Sequence, residues 1–105
     1  MMRISLASQQ AEEVVLKVEG HLHLLEEAGL LTREGQRWLK QGKQLVLELS
    51  GLQAIGTVGL AVLQWWHAAE YPVVLRGATQ VLQALFRFHG LPPEEDLHYT
   101  HGPPV

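Results

Sequence analysis

The sequence predicts an α/β domain: a mixed sheet of four to five strands flanked by helices. Three observations point there. Short aliphatic runs, rich in β-branched residues, recur at residues 14–18, 45–49 and 73–75. Between them, apolar residues repeat at helical spacing. Glycine or proline punctuates the junctions, at Gly20, Gly42, Gly51, Pro72, Gly77 and Gly90. Strands alternating with helices require parallel crossovers, and so a sheet with helices packed on it.

Residues 2–8 alternate loosely at Ile4 and Leu6 and read as a short edge strand. After a polar turn at residues 9–12, Val14, Val15, Leu16 and Val18 make a second strand ending at Gly20. So short a connection makes the pair a hairpin, the antiparallel part of the sheet. From Leu24 the period changes. Leu24, Ala28, Leu31, Gly35 and Trp38 fall on one stripe of an amphipathic helix, with Glu26, Glu27, Arg33, Glu34, Arg37 and Lys40 off it. Gly42 is its stop, and Gly29 and Gly35 weaken it enough that tertiary packing must support it.

The run LVLEL at residues 45–49 is nearly all apolar, which suits a central strand. Ser50-Gly51 ends it. Residues 58–70 form the second helix. Pro72 breaks that helix and opens the strand at residues 73–75. Thr79 is the expected N-cap of the last helix, whose apolar face is Val81, Leu82, Leu85, Phe86 and Phe88. The expected order is β-β-α-β-α-β-α. The expected core is Val15 or Leu16 with Leu45, Leu47, Leu49, Val73 and Leu75, and with Trp38 and Trp66 beneath the helices. Residues 1–93 make one domain. Residues 94–105, rich in proline, histidine and acids, make a loosely held tail.

Composition narrows the function classes. The chain has 105 residues, 47% hydrophobic, with a formal net charge of -3, which disfavours a nucleic-acid binder. It contains no cysteine, which excludes disulfides, thiol catalysis and cysteine-ligated zinc. No signal sequence or bilayer-length apolar run is visible, so a cytoplasmic location without membrane insertion is expected. Asp96 is the only aspartate and lies in the tail, which leaves Mg²⁺-dependent phosphoryl transfer and a Ser-His-Asp set poorly supported. There is no phosphate-binding glycine loop and no nucleophile elbow. The expectation is a non-enzymatic chain with no cofactor.

Residues 46–63, VLELSGLQAIGTVGLAVL, resemble the STAS signature, in which a V-L-D-L-S strand leads to an Asp-Ser/Thr-x-Gly-Leu turn that opens a helix. Residues 18–22, VEGHL, are similar to the family's G-x-L turn after the second strand. Leu75-Arg76-Gly77 and Phe88-His89-Gly90-Leu91 are similar to its later strand end and to the ending of its last helix. The resemblance spans roughly residues 12–92. It implies the STAS arrangement and a protein-interaction role, like that of anti-sigma-factor antagonists. In those proteins a kinase phosphorylates a Ser or Thr at the start of the second helix. Thr57 holds that position. The implied partner is an anti-sigma factor or a serine/threonine kinase-like regulator. The alternative is the ATPase of a bacterial ABC transport system, since the T-x-G-L-A string at residues 57–61 also resembles the MlaB-like subunit of lipid transporters. Two departures stand out. Gly56 replaces the family aspartate, and His21 and His23 replace acids of the turn.

On an ideal wheel Val58, Val62, Leu63, Trp66 and Ala69 share the core side of the second helix. Thr57, Leu60, Ala61 and Gln64 then lie opposite. With Gly56 these four form the candidate docking surface, on which Leu60 is an exposed leucine one turn from Thr57. Trp65 reads as a core residue packed at the flank. His21 and His23 alternate along extended chain and can face the same way, as can His98 and His101. Neither pair has an evident third ligand, so no metal site is expected.

Overall fold

A computed structural model describes residues 1–92. Strands β1 (Met2–Gln9) and β2 (Glu13–Leu22) form the antiparallel hairpin, with a register shift between Leu6 and Ser8. Helix α1 (Leu25–Leu39) leads to β3 (Gln44–Glu48), then β4 (Leu52–Ile55), α2 (Thr57–Ala68), β5 (Val73–Arg76) and α3 (Gln80–Phe88). The order across the sheet is β1-β2-β3-β5, with β3 central as its apolar run requires.

Strand β2 has 10 residues, enough to serve two neighbours in succession. Its first half pairs parallel with β3, from Glu13↔Gln44 to Lys17↔Glu48. Its second half pairs parallel with β4, from Gly20↔Leu52 to Leu22↔Ile55. The expected order lacks β4, and the expected β2 stops at Gly20. Both differences have one cause: Gly20 and Gly51 look like strand ends in sequence. Gly20 instead lies mid-strand at φ 89°, beside the chain start, where its own N–H donates to the carbonyl of Gly51.

Alternation assigns the strand faces. Val14, Leu16 and Val18, with Leu45, Leu47, Leu49 and Leu75, join one cluster with residues of all three helices, among them Trp38, Trp66 and Phe86. Val73 packs against its margin. The other face carries the registered rows Val15–Val46–Val74 and Lys17–Glu48–Arg76. Both residues of the expected pair are buried, Leu16 in the helix-covered cluster and Val15 on the opposite face. Helices α1 and α2 meet at Gly35, where a Cβ would fall 2.6 Å from Cζ2 of Trp66. That contact is why a glycine interrupts the apolar stripe of α1.

Helix ends follow sequence chemistry. Thr79 caps α3, its hydroxyl accepting from Leu82 N–H at 3.3 Å. The face of α3 is narrower than expected. Leu82 and Phe86 are buried, whereas Val81 and Phe88 are 78% and 84% exposed. A nine-residue helix has room for one inner line, marked here by Leu82 and Phe86, and residues 81 and 88 lie off it. Leu24, expected on the inner stripe of α1, is its exposed N-cap residue, and its side chain has no oxygen to cap with. Glu27 compensates. Its carboxylate accepts from the N–H groups of Met2 (3.0 Å), His23 (3.2 Å) and Leu24 (3.1 Å), tying β1 to the start of α1.

Those hydrogen bonds, the one from Leu24 foremost, hold the Glu27 carboxyl below its ordinary pKa against some desolvation. A depressed folded pKa gives stability that is complete above the unfolded pKa and is lost as pH falls through the folded value. Glu27→Gln should therefore flatten the acid limb of the stability–pH curve. Denaturant unfolding of both proteins across a pH series measures this. Parallel acid limbs would mean that the three bonds contribute nothing.

Candidate docking surface at the start of the second helix

The surface is built where β2 and β4 end together. Gly56 N–H donates to the carbonyl of Leu22 at 2.8 Å, which fixes the end of β4 against β2. Gly56 is extended (φ -102°, ψ -174°) and its carbonyl accepts the first helical bond, from Leu60 N–H at 3.0 Å. Gly56 is therefore the N-cap, and Thr57 is the first helical residue. The Thr57 side chain is exposed and its hydroxyl makes no capping bond. No acidic residue lies in the first turn of α2. The leading N–H groups of such a helix have no partner within it, and they present the positive end of the dipole.

Thr57, Ala61 and Gln64 are all exposed at i, i+4 and i+7, one line along α2. The Gln64 amide leans toward the end of α3, with Nε2 3.5 Å from the His89 carbonyl oxygen. Leu60 does not belong to this line. It is 8% exposed and part of the core cluster, together with Leu63 and Trp66. It is buried where the wheel leaves it exposed, and of the residues the wheel buries, Val58 and Val62 are half-buried and Ala69 is exposed. Eight of the twelve residues of α2 are Val, Leu, Ala or Trp. Thr57, Gln64 and His67 are its only polar side chains, too few to fix the rotation of the helix. Close approach decides the matter. A Cβ on Gly59 would fall 2.7 Å from Leu22 Cγ and 2.8 Å from Ile55 Cγ1, so the Gly59 side must face the sheet. Trp65, expected at the core's flank, is 48% exposed and sits edge-on to Tyr71 with ring centroids 6.0 Å apart.

The two departures in sequence are one feature in space. A Cβ on Gly56 would lie 3.2 Å from Cβ of His23 and 3.4 Å from its Cα. A side chain at position 56 would therefore press on His23, and the two positions are coupled. His21 and His23 do face the same way, with rings edge-to-face at 6.1 Å. Among the described residues they meet no third ligand, and no group of three metal-ligating side chains occurs. His98, His101 and Asp96 lie outside the described residues. No helix among the described residues is long and apolar enough to cross a membrane.

The fold is similar to that of the anti-sigma-factor antagonist SpoIIAA in its unphosphorylated form, at 16% identity and a TM-score of 0.67, covering 96% of this chain and 100% of that one. The phosphorylated form of the Bacillus cell-fate determinant SpoIIAA is similar at 17% identity and a TM-score of 0.61, with 85% of each chain covered. A protein with a SpoIIAA-like fold from Shewanella loihica is similar at 16% identity and a TM-score of 0.55, over 85% of this chain and 76% of that one. No curated protein matches the chain. The family described as MlaB, STAS domain, matches residues 5–92, all five strands and all three helices falling wholly or in part within that span. With its mixed sheet and three helices, the chain belongs to the STAS domain family in its MlaB-like branch.

Proposed function

We propose that this chain is a non-enzymatic docking module that engages a partner protein through the first turns of α2, with Thr57 at the centre of the contact. The observation that supports this best is the exposed line of Thr57, Ala61 and Gln64 at a helix N-terminus free of acids. A hydroxyl and unpaired N–H groups are ready hydrogen-bond partners there, and Ala61 lets another surface approach closely. Gly56 contributes by leaving the helix end uncovered.

Two forms of docking are distinguished by what Thr57 does. In the first, the chain regulates an anti-sigma factor or a kinase-like regulator of transcription. Phosphorylation of Thr57 adds about two negative charges, and their desolvation at the contact ends binding. In the second, the chain is a small cytoplasmic subunit of an ABC lipid-transport system that contacts the ATPase constitutively. The second form is favoured by the MlaB description of the matching family and by Gly56, which stands where the switched regulators carry aspartate.

Titration of the captured partner with native protein, Thr57→Ala and Thr57→Glu separates the two. A switch predicts that Thr57→Ala binds at least as well as native and that Thr57→Glu binds poorly. A constitutive contact predicts that Thr57→Ala already weakens assembly, by about 0.5–1.5 kcal/mol for one lost hydrogen bond. Unchanged affinity in both variants would remove Thr57 from the interface.

A further inference from the structure

Helices α1 and α2 leave a groove of about 460 Å³ on their outer side. Leu25, Gly29 and Thr32 of α1 face Val58, Ala61 and Trp65 of α2 across it. The rims are apolar and open: Leu25 is 75% exposed and Trp65 48%. The one hydroxyl, on Thr32, already donates to the Ala28 carbonyl at 2.9 Å. Nothing in the lining is left to orient a small polar ligand, which normally needs a few convergent polar groups.

Charge enters at one end. Arg33 of α1 and Lys40 at its C-cap lie four and eleven positions beyond Gly29, both exposed on the same flank and just outside the groove's lining. Neither forms an ion pair among the described residues. Glu26 lies near the opposite end of the groove. The lining of α1 runs from Leu25 to Thr32, about 10 Å of helix. That length takes two or three side chains at i, i+4 and i+7, the spacing of a helix laid in a groove.

We infer that this groove seats an amphipathic helix of the partner protein, its apolar stripe between α1 and α2 and its acidic end over Arg33 and Lys40. The inference rests on the docking reading above and names the partner element that reading requires. Ala61 belongs to both surfaces, so one partner can touch the Thr57 line and fill the groove. Glu26 sets the direction, because it repels the acidic end.

The test uses two short capped helical peptides, each with leucines at i, i+4 and i+7. One has glutamates clustered at one end, and the other has lysines in their place. Each is titrated into ¹⁵N-labelled protein, and the Trp65 indole and Gly29 amide signals are read. The acidic peptide should shift both signals and bind about tenfold more tightly than its basic isomer. Gly29→Glu should abolish that preference without unfolding the protein, since a Cβ at Gly29 meets nothing within 4 Å. Joint Arg33→Glu and Lys40→Glu should reverse it. No shift at Trp65, or equal affinity for both peptides, overturns the inference. So would a self-dimer, or anionic phospholipid vesicles, perturbing Trp65 in place of the peptide. Thr57 plays no part in the peptide titration, so failure here, with partner binding still sensitive to Thr57, overturns the groove alone, whereas loss of the Thr57 reading shows in the partner titration.

Discussion

Trp66→Ala should cost about 3–5 kcal/mol, the range for removing a large aromatic side chain from a core. Trp66 is fully buried and joins the cluster that holds α1, α2 and the sheet together. Its ring edge fills the space that the missing side chain of Gly35 leaves on α1. The loss therefore combines burial with a cavity that two rigid helices cannot easily close. The contact also predicts coupling. Gly35→Leu should destabilise the native protein strongly, because its Cβ overlaps the indole, and far less in the Trp66→Ala background, where the space is open. Denaturant unfolding of the four proteins gives the cycle. Additive losses would show that the two residues do not meet.

Leu47→Ala should cost about 2–5 kcal/mol. Leu47 is 1% exposed in β3, in register with Leu16 on one side and Leu75 on the other. Helices cover that face and neighbouring strands hold the backbone on both edges, so there is little freedom to collapse into the gap. Val46→Ala is the internal control. It removes a smaller side chain from the opposite face, outside the helix-covered cluster, and should cost clearly less. A Leu47→Ala loss below about half a kcal/mol would mean that the strand faces are reversed.

The strands that are both β-branched and buried are legible in the sequence, because there one physical requirement produces the pattern. LVLEL reads as a central strand since helices cover one face and strands flank both edges. Strand β4 was not legible. Leu52-Gln53-Ala54-Ile55 is short, lacks alternation, and owes its strand character to the second half of β2 beside it. The orientation of α2 was not legible either, for the opposite reason: its apolar residues go nearly all the way round. Gly59 was the available signal, since a glycine inside a helix argues for close approach to something, here Leu22 and Ile55. Thr57 could be placed from its string of neighbours, but Leu60 could not be separated from Ala61 without knowing the helix's rotation. The proximity of His23 to Gly56 crosses 33 positions of sequence and follows only from the parallel pairing of β2 with β4. Glu27 looked like one more solvated acid, because two of its three donors are backbone groups of the preceding turn and the third comes from the chain start.

The claim that docking occurs through the start of α2 is tested most directly by position-specific photocrosslinking inside the cell of origin. A photoreactive side chain is placed in turn at Thr57, at Gln64 and at Ser5, an exposed residue of β1. The same partner band should form from positions 57 and 64 and be absent from position 5. A partner band from Ser5 with none from Thr57 or Gln64 would contradict the account and move the interface to the hairpin edge.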